Sequence, residues 1–260
     1  MSDCNNVNTT GSTTPGSSDI DFWLAVAKGD FTDYSNVNKF GINSTVGSGG
    51  FESIWEGSSL YPWPTDVQTL SVVSASANDA SGGTGARTVE IQGLDTNWDV
   101  VTETITMNGV TPVVTAQTFK RVYRTKVVTA GSLQSNADEI TITGSTDSNI
   151  LAYISYDTIG MGQTLMAVYT IPNGKTGYII NLNVSSSKDS EHRFRFMVRD
   201  NAVTDAAWNV KEYMSARGGF SSWRKYAINK VTEKTDIDLQ VISNSTSAAS
   251  GGFELILIDN

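Results

Sequence analysis

From residue 69 onward, apolar and polar residues alternate in short runs that end in glycine, asparagine or aspartate. Alternation of period two places every second side chain on the same face of an extended chain, so it selects half-buried strands over helices. Segments 70–75 (LSVVSA), 87–93 (RTVEIQG) and 101–107 (VTETITM) show it, and Asn108-Gly109 is a strong signal for a tight hairpin after the third. With 110–114, 119–129 and 139–143 they predict an antiparallel meander with one polar face. A second group follows: 164–171 and 177–184 around the turn Pro172-Asn173-Gly174, then 192–199, 220–228, 237–243 and 253–258. Segment 145–162 is the candidate boundary between the groups. The reading is therefore all-β, with two antiparallel β-sandwich-like domains, 65–160 and a jelly-roll-like 161–260, preceded by an extended N-terminal arm and loop over 1–64.

The first 64 residues lack that alternation. Residues 1–18 (MSDCNNVNTTGSTTPGSS) are polar and low in complexity, and are expected to be disordered unless a neighbouring surface holds them. Residues 19–28 (DIDFWLAVAK) suit a short helix capped by Ser18 or Asp19 and ended by Gly29, and equally suit a strand. Between 30 and 64 the chain reads as irregular, with aromatic anchors that must be buried in the same subunit or the next. Phe22, Trp23, Phe40, Trp55, Tyr61 and Trp63 are the candidate assembly contacts.

Composition narrows the chemistry. Charged residues make up 17% of the chain, against about 25% in ordinary soluble proteins, and the formal net charge is −9. That balance opposes direct contact with nucleic acid, which needs many cations to neutralise phosphates. The single cysteine, Cys4, excludes a disulfide within the chain and disfavours a cysteine-based zinc site. The N-terminus has no basic region followed by an apolar run, which predicts no secretory leader, and no stretch reaches the roughly eighteen apolar residues of a membrane helix.

No catalytic, cofactor or metal site emerges. The one histidine, His192, is read as a surface or edge residue rather than a base. Asp95, Asp99, Glu103, Glu139 and Asp157 could serve as carboxylates, but none forms a distinguished pair. The run 95–99 imitates the start of a calcium loop yet has Val100 and Thr106 where glycine and glutamate are needed. Residues 82–87 imitate a phosphate loop but lead into a strand. Arg121, Arg124 and Lys126, with Tyr123 among them, could touch nucleic acid or sugar, but the plainer reading is a cross-strand ion-pair ladder with Glu90 or Glu103. Trp208, Tyr213, Trp223 and Tyr226 have two readings, contacts to a host-surface receptor or filling of a sandwich core.

Several blocks in order resemble a family of virion structural proteins of tailed phages of the marine and cyanobacterial type. They are Ala27-Lys28-Gly29, Asn38-Lys39-Phe40-Gly41, Ile54-Trp55-Glu56-Gly57, Tyr61-Pro62-Trp63-Pro64, 73–88, Gly93-Leu94-Asp95, Thr102-Glu103-Thr104, 108–113 and Ala130-Gly131-Ser132. Residues 163–178 add a weaker match, and the chain from about residue 185 matches less well. The resemblance implies a particle protein without known catalytic residues. Taken with the charge, the apolar run lengths and the aromatics at 208–226, the expected partners are other virion proteins and further copies of the chain, with a host-surface receptor as the alternative and no nucleic acid, membrane or cofactor. It places the protein in a virion assembled in the cytoplasm of a bacterial host.

Overall fold

The computed structural model describes residues 19–260, without the side chains of 19–21 and 223–228. The arm 1–18, with Cys4, lies outside the described residues. The described chain is almost entirely β, with several antiparallel sheets. Its one helix, α1 (Asp19–Lys28), is closed by Gly29 at φ +77°. There the Asp30 and Gly29 amides donate to the Ala25 and Val26 carbonyls, the paired bonds of a glycine C-cap.

The middle region is a two-layer sandwich. One layer is the sheet β6 (Val113–Val114), β3 (Leu70–Ser74), β8 (Ile140–Gly144), β9 (Ile150–Ile154); the other is β5 (Val100–Thr106), β4 (Ala86–Leu94), β7 (Arg121–Ala130). Alternate side chains of both layers, among them Leu70, Val72, Val89, Ile91, Ile140 and Ile142, are fully buried in one shared core. The single meander expected from sequence is thus split between two sheets. Asn108-Gly109 does not close a hairpin: only Gly109 has positive φ, and the turn carries the chain from β5 across to β6 in the opposite layer. The Gly109 amide donates to the Asp79 carbonyl, and its carbonyl accepts from the Ser74 amide, so the bonds that would close a hairpin are made elsewhere.

The second sheet system is built on one long strand. β11 (Lys175–Asp200) is 26 residues long and includes both segments read separately from sequence. Antiparallel to it on one side runs β12 (Asn209–Val231); on the other, β13 (Thr235–Ser243) and β14 (Ser247–Asp259) follow one another end to end. The register shifts between Ser186 and Glu191, opposite Gly218 and Gly219, which both have positive φ. At this break the sheet folds over on itself. Phe196 in the second half of β11 meets Phe253 on β14 edge-on at 5.4 Å, although neither is the other's register partner. Ile179, Leu182, Phe194, Phe196, Leu239, Val241 and Leu255 fill the enclosed core.

Residues 30–64 are not irregular throughout. β1 (Tyr34–Val46) pairs along β14, and β2 (Glu52–Ser53) pairs with β13, which also carries β10 (Val168–Thr170). The inward positions of β1 include Lys39, Gly41 and Asn43, so the strand is buried without an apolar alternation to announce it. Gly41 is required there: a Cβ would lie 2.3 Å from the Ile54 carbonyl oxygen and 2.6 Å from the Ala167 nitrogen. We predict that Gly41→Ala costs about 1–3 kcal/mol of stability, as overpacking against backbone usually does. Denaturant unfolding should show it as a lower midpoint, whereas Gly49→Ala, with nothing within 4 Å, should leave the midpoint in place.

Candidate functional site

β13 reads TDIDLQVIS, and its alternation would normally put Ile237, Leu239 and Val241 inside and Asp236, Asp238 and Gln240 in water. In the fold both faces are covered. The acidic face lies under the 53–64 loop and the start of β7, so two carboxylates are buried where the two sheet systems meet.

Asp236 is fully buried and is held by four donors. Arg121 grips it with two bonds, Nε to Oδ1 at 2.9 Å and Nη2 to Oδ2 at 3.0 Å. Arg199 Nη2 donates to Oδ2 at 2.8 Å, and the Thr170 hydroxyl donates to Oδ1 at 2.7 Å. Arg121 also donates through Nη1 to the Pro64 and Lys120 carbonyls. Burial alone would raise the Asp236 carboxyl; the Arg121 charge and the bonds from Arg121, Thr170 and Arg199 outweigh it and hold the group below its ordinary value. One carboxylate thereby ties together β7, β10, β11, β13 and the loop before β3.

Tryptophans interleave with these cations. The Arg121 guanidinium lies 4.9 Å from the Trp98 ring centre and 5.5 Å from that of Trp63. Arg199 lies 6.0 Å from Trp63 and 4.7 Å from Trp208, and the two rings are themselves 5.4 Å apart. The order Trp98, Arg121, Trp63, Arg199, Trp208 is a cation–π ladder, in which partly desolvated contacts are worth more than exposed ones. Trp98 has φ +66°, a conformation that costs a bulky residue on the order of 1–3 kcal/mol and persists only where its surroundings impose it. The Asn173 amide donates to the Trp98 carbonyl, and Asp95 Oδ1 accepts the Asn97 and Asp99 amides. The aspartate of the calcium-like run is therefore a turn cap.

Asp238 lies two residues along the same face. Burial pushes its carboxyl up to about 6, although Gln240 Nε2 and the Ser53 hydroxyl both donate to it. Lys39, on β1, is also buried, and its amine donates to the Tyr123 carbonyl. Burial first, and the Arg124 charge second, hold that amine well below its ordinary value. These groups line the seam between the two sheet systems, where Arg124 Nη2 donates to the Asn38 carbonyl and Tyr61 Oη to the Val122 carbonyl.

The residues singled out from sequence have mixed positions. Trp55 and Tyr61 are 3% exposed and 5.2 Å apart, so they fill the chain's own core and cannot be contacts to a neighbour as expected. Trp63 belongs to the ladder. Phe22 and Trp23 on α1 gather with Phe31 and Tyr34, and Phe40 is 40% exposed. Trp208 is in the ladder, Tyr213 is exposed, and the side chains of Trp223 and Tyr226 lie outside the described residues. His192 is fully buried, not at a surface or edge: Nδ1 donates to the Ser190 carbonyl at 2.9 Å and Nε2 lies 2.7 Å from the Ser247 hydroxyl. β11 is flanked on both sides at that point, which removes the edge that the isolated segment 192–199 suggested. Of the expected ladder of ions, Lys126–Glu90 forms at 3.0 Å; Arg121 turns to Asp236, and Glu103 instead accepts the Ala116 and Gln117 amides.

No family model matches the chain, and no curated protein does. Among solved structures, the chain is similar to one described as the structure of infectious bursal disease virus Gx strain. The two are 9% identical, the match covers 86% of this chain and 71% of that one, and the TM-score is 0.25. An overlay that loose carries no argument about function.

Two predictions follow from the buried face of β13. Asp236→Asn leaves two guanidiniums without their carboxylate and should cost about 3–5 kcal/mol, while Lys126→Ala on the exposed pair should cost about 1 kcal/mol at most. Paired denaturant titrations measure the contrast. Asp238 has a folded value above its unfolded one, so its contribution is complete below about pH 4 and fades as pH rises through about 6. Between those limits wild-type stability should lose on the order of 2 kcal/mol relative to Asp238→Asn, read from melting at half-unit pH steps.

Proposed function

We propose that this chain is a non-enzymatic structural component of a tailed-phage virion, a capsid or tail accessory protein that assembles in repeated copies through its N-terminal arm and β domains. The observation that carries the reading is the edge of the large sheet. β12 runs for 23 residues and, among the described residues, pairs only with β11. A free edge of that length presents a row of unpaired amides and carbonyls, which is a template for another strand. Val210, Tyr213 and Phe220 project from it with 52%, 56% and 69% of their surface exposed. Apolar side chains on an open edge favour association over solubility. The ordered blocks that resemble phage particle proteins support the same reading from the sequence. The deeply buried seam supports it as well, because a unit repeated in a shell or tube must keep its two halves in fixed relation.

β1 is integral to the sheet, so the segment to remove in testing the arm is 1–18 and not the whole of 1–64. Light scattering on the full chain is expected to show a defined oligomer. Deleting 1–18, or introducing Tyr213→Asp with Phe220→Asp on the β12 edge, should shift it toward monomer with the melting temperature unchanged. A full chain that stays monomeric up to high concentration would sink the assembly reading.

A further inference from the structure

The Arg121–Asp236–Arg199 cluster is not balanced. Two guanidiniums share one carboxylate, so one positive charge remains unmatched at a partly buried site in a chain of net charge −9. The imbalance opens into a cavity of about 300 Å³, lined by Lys120, Arg121 and Arg199 together with Thr65, Trp98 and Asn201. That volume is at the lower end of small-molecule pockets, enough for one sugar ring and too little for a chain of them.

The donors are unequally committed. Arg121 uses Nε, Nη1 and Nη2 within the fold. Arg199 makes only the bond from Nη2 to Asp236 among the described residues, and its Nη1 donors have no acceptor there. Lys120 Nζ donates to the Thr65 carbonyl, at 3.4 Å, and otherwise lies over the Trp98 ring, 5.1 Å from its centre. Asn201 has its amide nitrogen held by the Lys234 carbonyl at 2.8 Å, which leaves its amide oxygen as an acceptor. The half-buried Trp98 indole stands at the rim, fixed by its left-handed backbone.

We propose that this cavity binds a carboxylate-bearing sugar unit, a uronate within an acidic polysaccharide. The carboxylate would take the free donors of Arg199 and the Lys120 ammonium, which are charge-assisted bonds to an anion. The hydroxyls would meet the Asn201 amide oxygen and the Thr65 hydroxyl. One face of a pyranose carries polarised C–H bonds, and these would pack on the Trp98 indole in place of the Lys120 ammonium that lies over it, as that ammonium moves to the carboxylate. Asp205, the one carboxylate lining the cavity, discriminates against a ligand whose negative charge fills the whole volume, such as a polyphosphate. The site goes beyond an assembly role and stands whether or not the chain oligomerises.

The test is isothermal titration of the full chain with a galacturonate trimer, with neutral glucose oligomers, and with sodium sulfate. Lys120→Ala and Asn201→Ala serve as variants because both spare the bonds to Asp236. Saturable binding of the uronate, weakened about tenfold or more by Lys120→Ala, reduced by Asn201→Ala and diminished by added salt, is the expected result, with no heat from the neutral oligomers. Absence of uronate binding overturns the proposal. So does uronate binding that both variants, melting as wild type, leave unchanged. Sulfate binding as tightly as the uronate would show an anion site with no recognition of sugar, and would overturn it equally.

Discussion

A fully buried carboxylate that has lost its water must be given equivalent partners, and Asp236 finds them on elements from opposite parts of the chain. Arg121 comes from the middle sandwich, Arg199 and Thr170 from the C-terminal sheet system, and the Pro64 carbonyl shares Arg121 from the loop that joins the N-terminal strand to both. Low local polarity makes each of these bonds strong and makes the loss of any one expensive. The relative placement of the two sheet systems therefore rests on a polar contact together with apolar residues that cross the seam, Leu94 and Tyr123 into the C-terminal core and Val168 into that of the sandwich. Three tryptophans flank the contact, each with its ring within 6 Å of one of the two guanidiniums.

That arrangement explains why the aromatic-rich loop 51–64 is ordered in one path. Trp55 packs on Tyr61, Tyr61 donates to the Val122 carbonyl, and Trp63 lies between two guanidiniums. Glu56 accepts the Leu165 amide at 2.9 Å and the Ser155 amide at 3.3 Å, fastening the loop to the middle sandwich and to the linker after it. A segment that has little secondary structure of its own is thus specified by side chains that each satisfy a backbone group elsewhere.

Much of the fold was legible where one face of a strand is apolar and the other wet, as in β3, β4, β5, β8 and the later strands. The reading failed where burial is not apolar. β1 hides Lys39, Gly41 and Asn43 at its inward positions, so it offers no period-two signal. β11 looked like two strands because Ser187, Lys188, Asp189 and Ser190 interrupt the apolar pattern at the fold-over, where the strand bends without ending. At the seam, the sequence marked Trp63, Trp208 and Arg121 as notable but gave each a different partner. Asp236 and Asp238 were not singled out, because acids alternating with Ile and Leu are the ordinary pattern of a strand facing solvent. Only the cover supplied by a loop from far away in the sequence makes them interior.

The pairing of β1 with β14 has a consequence for how the chain is made. Tyr34 lies opposite Ile258, so β1 waits for a partner strand that is made long after it. The middle sandwich closes through strands that are near one another in sequence and can form while the ribosome is still at work. β1 emerges before the middle sandwich and is paired only after it. During that interval its polar inward face serves it well, because a strand carrying Lys39 and Asn43 where apolar residues would ordinarily stand is a poor nucleus for mispairing.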